Sequence, residues 1–142
     1  MKKYTFSEIY VGLRETFEQQ ISIEMENAFR EMSGDNNPLH RDDVYAREIS
    51  AGKYPVHVSF GMLTASLYST LAGMYLPGAY SLIHSLENVS FLNPVFVGDV
   101  LFVEGEVTDK DESLHLIRVN ACIHNQEKRK VSKAKMKIIV LK

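Results

Sequence analysis

From Tyr54 to Leu86 the chain carries no Asp, Glu, Lys or Arg, although charged residues make up 24% of the whole. Met62, Leu63, Ala65, Leu67, Leu71, Ala72, Met74 and Tyr75 recur so densely that a helix from about Ser59 or Phe60 to Leu76 keeps almost no polar face. A helix that is apolar all round is a buried one. Pro77-Gly78 stops it. A membrane-spanning helix needs about 20 mainly apolar residues. Pro55, His57, Ser59, Ser66, Ser69, Gly73, Pro77 and Gly78 interrupt the run, so a deeply buried helix followed by a turn is expected, not a span.

The rest of the chain must then cover that helix. Residues 13–21 read as a first strand with modest alternation. Ser22 can cap a helix whose apolar face is Met25, Ala28, Phe29 and Met32. Asp42 to Glu48 can form a short helix with acids in its first turn and Arg47 near its end, and Gly52 and Pro55 mark a loop. After the long helix the pattern changes period. Strands are expected at 80–91, Val100–Val107, 114–124 and 131–141, with turns at Asp109–Glu112 and Asn125–Lys128. Residues 114–124 place His115, Ile117, Val119, Ala121 and Ile123 on one side. Residues 131–141 alternate Lys133, Lys135 and Lys137 against Ala134, Met136, Ile138 and Val140. One long buried helix beside four meandering strands argues an α+β fold, with the sheet wrapped around the helix.

The chain of 142 residues suits a single domain, 1–142, around one core. A formal net charge of −2 gives no case for nonspecific nucleic-acid binding. The single cysteine, Cys122, excludes an intrachain disulfide and a cysteine-rich metal site, and suits a reducing cytoplasm. Lys2 and Lys3 lead into Tyr-Thr-Phe-Ser-Glu, not an apolar run, so no signal peptide is expected. His84, His115 and His124 have no ligand spacing, and no metal is assigned. There is no Gly-x-Ser-x-Gly elbow and no phosphate-binding glycine loop. Lys128-Arg129-Lys130 reads as a solvated run.

Two places carry chemistry. The first is Ser33-Gly34-Asp35-Asn36-Asn37-Pro38-Leu39-His40, between two helices. Gly34 can take the left-handed conformation that ends a helix. Pro38 cannot continue one, and it biases Asn37 toward extended backbone. A carboxylate and an imidazole on one stiff bend can move a proton at neutral pH. The same string also reads as an Asx turn with His40 at the surface. The second place is the start of the buried helix, whose first N–H groups lack intrahelical partners and sit at the positive end of its dipole. Gly61 there leaves room for a carbonyl oxygen that gains charge during a reaction, or simply for close helix packing. His57, just before it, is a packing or surface residue first. Ser69 can bond a ligand or a carbonyl one turn back. Met25, Met32, Met62 and Met74 are core positions first.

Four blocks, in order, carry a resemblance. They are Ser33-Gly34-Asp35-x-Asn37-Pro38-Leu39-His40-x-Asp42, Gly61-Met62-Leu63-x-Ala65-Ser66-Leu67, Leu76-Pro77-Gly78 and Phe91-Leu92-Asn93-Pro94-Val95-Phe96-Val97-Gly98-Asp99. In these the chain resembles the MaoC-like hydratases, which include the (R)-specific enoyl-CoA hydratases. The resemblance implies a hot-dog fold and a homodimer, or an oligomer built from dimers, with an acyl-thioester tunnel at or near the interface. It implies Asp35 and His40 as the catalytic pair, Gly61 as the glycine whose N–H meets the thioester carbonyl, and Ser69 as a serine near the pair. Asn37, Phe60 and Met62 are the further candidate substrate-binding positions. Phe60 stands where the family usually has histidine, and an aromatic ring there is expected to narrow or dry the tunnel. The implied reaction is reversible syn hydration of a trans-2-enoyl thioester carried on coenzyme A or acyl-carrier protein, with no metal or redox cofactor. A hot-dog thioesterase and a non-catalytic acyl-thioester-binding module are the alternatives.

Overall fold

A computed structural model describes residues 1–142. The strands begin where side chains alternate in polarity and end where a turn can be bonded. β1 is Arg14–Gln20, β2 Ser81–Phe91, β3 Val100–Asp111, β4 Leu116–His124 and β5 Lys130–Val140. They form one sheet in the order β1-β3-β4-β5-β2, with every neighbouring pair antiparallel. In β5 the lysines point out and Ala134, Met136, Ile138 and Val140 are buried, as their alternation requires.

Helix α1 (Ile23–Ser33) starts where the Ser22 hydroxyl accepts the Met25 N–H, and stops at Gly34, whose φ of +73° favours glycine. Helix α2 (Asp43–Ile49) starts at Asp42, whose carboxylate accepts the N–H groups of Val44 and Tyr45. Helix α3 (Gly61–Thr70) runs against the inner face of the sheet and ends in a π-helical turn, Leu71–Tyr75. No helix is long and apolar enough to cross a membrane.

The sheet is built to receive α3. Register pairs Gly105 with Ala121, and Ala121 with Ala134. Three small residues therefore lie in a row across three strands, all facing inward. A Cβ at residue 105 would lie 2.8 Å from Leu71 Cδ2 and 3.1 Å from Val119 Cγ1. The row is the trough into which the end of the helix packs. Tyr68, fully buried on α3, donates to the Ser132 hydroxyl of β5 at 2.7 Å, which satisfies a polar group that burial would otherwise penalise. Burial pushes its phenol up to about 12.

Four expectations need correction. The central helix is not buried all round: Met62, Ser66 and Ser69 form an exposed stripe along α3. On α1, Ala28 and Met32 are exposed, and the inward face is Met25, Glu26, Phe29 and Arg30. β3 continues to Asp111, past the expected turn at Asp109–Glu112. Its Lys110 ammonium reaches the carbonyls of Phe6 and Ile9, while Asp111 bonds the true turn through Ser113 and Leu114. His115 is part of that turn, at φ +47°, stacked on Phe6 and not on the inner face of β4.

Candidate active site

The bend after α1 is a chain of local side-chain bonds. The Ser33 hydroxyl accepts the Asp35 N–H, the Asp35 carboxylate accepts the Asn37 N–H at 3.0 Å, and the Asn37 side-chain oxygen accepts the Leu39 N–H at 3.0 Å. These Asx turns deliver the chain into one 3₁₀ turn, Pro38–His40. Asp35 and Asn37 remain exposed.

His40 is held far more firmly. Its Nδ1 lies 2.7 Å from the Val58 carbonyl. A carbonyl can only accept, so Nδ1 carries the hydrogen, and in the neutral ring the lone pair is on Nε2. Arg30 on α1 donates to the His40 carbonyl at 3.1 Å. The Val58 N–H donates in return to the Leu39 carbonyl at 3.0 Å. The Phe60 ring packs against the imidazole at a centroid distance of 4.4 Å, backed by Phe29 at 4.9 Å.

His40 lines a cavity of about 700 Å³. Gly61 and Thr64 of α3 form part of its wall, with the Phe91–Phe96 loop opposite and Lys53 and Arg129 also on its lining. The loop keeps its shape through its own block of residues. The Ser59 N–H donates to the Val95 carbonyl, Asp99 accepts from Phe96 N–H and Gln126, and Asn93 bonds both Lys130 and Arg129. Phe60, the N-cap of α3, offers no side-chain bond to the helix end, so the Gly61 N–H is free to face a ligand. A Cβ at residue 61 would sit 3.3 Å from the Phe91 ring, a tight fit between helix end and loop.

The structure thus brings His40 and Gly61 to one cavity. It does not bring Asp35, Asn37, Met62 or Ser69 to the wall of that cavity within a single protomer. Met62 is 63% exposed. Ser69 sits eight residues beyond Gly61, about 12 Å along the helix. Phe60, at 2% exposure, packs against His40 and is not among the residues that line the cavity. No group of three His, Cys, Asp or Glu side chains is arranged to hold a metal.

Sequence reasoning missed the supports. Glu26 and Arg30 are one turn apart on the inward face of α1, and Glu26 is fully buried. Charged side chains on a buried helix face signal specific partners. Here the partners are His57, through Glu26 at 2.9 Å, and the His40 carbonyl, through Arg30. His57 also meets Asp43 at 2.7 Å. Burial by itself pulls the His57 imidazole down, but its bonds to Asp43 and Glu26 overcome this and hold its pKa above the ordinary value. The backbone and ring N–H groups of His57 hold the Asp43 carboxyl below its ordinary value.

Comparison with known proteins identifies the family and the fold. The chain is 41% identical over 99 residues to an (R)-specific enoyl-CoA hydratase of Aeromonas caviae, covering 70% of this chain and 71% of that one. It is 32% identical over 104 residues to a 3-hydroxybutyryl-CoA dehydratase of Methylorubrum extorquens, covering 73% of this chain and 64% of that protein. An unliganded R-hydratase from Pseudomonas aeruginosa superposes with a TM-score of 0.87 at 28% identity, over 96% of this chain and 84% of that one. The (R)-hydratase structure from A. caviae superposes with a TM-score of 0.85 at 30% identity, over 93% and 97%. The curved sheet around α3 is the hot-dog fold. The MaoC like domain description matches residues 11–129, and the chain belongs to that family.

Proposed function

We propose that this protein adds water reversibly across trans-2-enoyl thioesters to give (R)-3-hydroxyacyl thioesters. The observation that carries the proposal is the pairing, at one cavity, of a histidine whose Nδ1–H is tied to Val58 with the open N–H of Gly61. The Asp35 carboxylate takes a proton from water as its oxygen bonds to C3 of the acyl chain. His40 holds that water through the Nε2 lone pair and so orients it, and the proton taken up by Asp35 passes on to C2. The Gly61 N–H stabilises the enolate-like thioester oxygen between the two events. Dehydration runs the same steps backwards.

The reaction needs no metal or redox cofactor, and the acyl group arrives on coenzyme A or acyl-carrier protein. Lys53 and Arg129 on the cavity wall suit the phosphate of either handle. A cytoplasmic setting goes with these substrates. The exposed stripe on α3 and the position of Asp35 outside the cavity wall support a homodimer that completes the site. Sedimentation at micromolar concentration should show a dimer or a multiple of it; a monomer across that range contradicts an interfacial tunnel.

The test of function is purified protein with trans-2-enoyl-CoA thioesters of graded chain length. Loss of the conjugated double bond, with no release of free thiol, is expected. Thiol release without hydration identifies a thioesterase, and binding without either reaction identifies a carrier module.

A further inference from the structure

His57 lies between two carboxylates supplied by two helices. Its Nε2 is 2.9 Å from Glu26 Oε2 on α1, and its Nδ1 is 2.7 Å from Asp43 Oδ1 on α2. Its backbone N–H donates to the same Asp43 oxygen at 2.9 Å. A neutral imidazole has one N–H to give, whereas two carboxylates on its two nitrogens ask for two. The ring therefore sits as an imidazolium. Glu26 has no other partner: its second oxygen, Oε1, is buried and unbonded. The loop carrying His57 is held from α2 as well, because Arg47 donates to the Pro55 carbonyl at 3.1 Å.

The next residue is Val58, whose two backbone groups both serve the candidate site. Its carbonyl takes the His40 Nδ1–H, and its N–H bonds Leu39. One turn beyond Glu26 on the same face of α1, Arg30 fixes the His40 carbonyl. A buried ion pair is no better for stability than well-packed apolar residues of similar size. Two charged residues on this buried face are thus better explained by the orientation they impose.

We propose that His57 is a positioning residue. Clamped between Glu26 and Asp43, it fixes the Val58 carbonyl, and through it holds His40 in the tautomer whose Nε2 lone pair is free for the cavity. The proposal rests on the reading of His40 as a catalytic group. Its physical core, the link from clamp to tautomer, is measurable without turnover.

The experiment uses the full chain with histidine ring nitrogens labelled. His40 tautomer is read by NMR, and hydration of trans-2-butenoyl-CoA is followed in parallel. His57→Gln can bond only one of the two carboxylates with its single amide group. It should shift His40 from one tautomer to a mixture and lower kcat by about tenfold or more, since a displacement on the order of 1 Å can cost about 10²-fold. KM should stay within about twofold, because a catalytic group is misplaced and a binding contact is not lost. Asp43→Ala removes the solvent-exposed arm of the clamp. It should move both readouts the same way by less, and it decides the matter if His57→Gln does not fold. A folded variant that leaves either the His40 tautomer or kcat at the wild-type value overturns the proposal. A wild-type protein without hydratase turnover defeats the functional reading instead, while the tautomer measurement still judges the clamp.

Discussion

Asp35 and His40 belong to one bend, yet they are held in opposite ways. The segment around His40 is locked by α1 through Arg30, by the 57–58 loop through Val58, and by the ring of Phe60. The segment around Asp35 is locked only to itself, by turn bonds to Ser33 and Asn37, and stands in solvent. One half of the proposed pair is preorganised within the protomer. The other half is bonded only within its own turn. A rigid imidazole and an unshielded carboxylate share one bend, and that contrast is what the dimer proposed above would resolve.

The pair should nevertheless act as a unit, and that gives the largest effect. Asp35→Asn and His40→Gln should each lower turnover by at least about 10², the usual contribution of a positioned acid or base. The double variant should fall far less than the product of the two. Turnover per folded molecule, with the melting temperature alongside, decides this. If Asp35→Asn hydrates enoyl thioesters at close to the wild-type rate, Asp35 is a turn residue and the contrast with His40 is one of function too.

The support behind His40 comes next. Phe60→His places polar nitrogens among Phe29, His40 and α3, where leaving one unsatisfied should cost about 1–3 kcal/mol. Chemical denaturation measures that loss. Acyl-chain preference across graded substrates should not move, because residue 60 is buried against the His40 ring and is not among the residues lining the cavity. A changed chain-length profile in a protein of unchanged stability contradicts that placement.

A smaller effect separates the sheet from the site. Gly105→Ala crowds Leu71 and Val119, and overpacking of this kind costs about 1–3 kcal/mol. Flexible Leu71 places this case near the lower end. The melting temperature should drop while turnover per folded molecule holds, since residue 105 faces the trough and not the cavity.

The smallest concerns pH. His57 is held above its ordinary value of 6.5. Its stabilising contribution is therefore complete below that pH, and fades as pH rises through the higher folded-state value. The charged groups that meet the ring are Glu26 from α1 and Asp43 from α2. The melting temperature should decline slightly over that alkaline limb, and His57→Gln should flatten the decline. Equal slopes in both proteins would mean that the imidazolium adds nothing to stability.

Much of this molecule was legible in its sequence because it rests on short-range pattern. The alternation in 131–141, the cap at Ser22, the stop at Gly34 and the charge-free helix before Pro77-Gly78 all follow from local chemistry. So does the bend from Asp35 to His40. The errors have a different origin. Glu26 and Arg30 look like solvent-facing residues until their partners, far away along the chain, are brought to them. Ala28 and Met32 look like core for the same reason. Phe60 could not be told from a wall residue, since the side of His40 on which it packs depends on the course of the loop before α3. The exposed stripe on α3, one methionine and two serines, is as free of charge as the buried faces, so the lack of charge could not separate the two. Asp109 and Lys110 read as turn residues, but the strand continues through them because Lys110 finds two carbonyl acceptors near the N-terminus.

The row of Gly105, Ala121 and Ala134 carries a consequence for how this chain can diverge. Leu71 fills the space that the missing side chain of Gly105 leaves, next to Ala121 and Ala134 in the row. Positions remote in sequence therefore share a single allotment of room. A methyl group gained on β3 must be matched by one lost from the helix end or from a neighbouring strand. Among descendants of this sequence, substitutions at 71, 105, 121 and 134 should arrive in compensating pairs, even where none of them touches the chemistry.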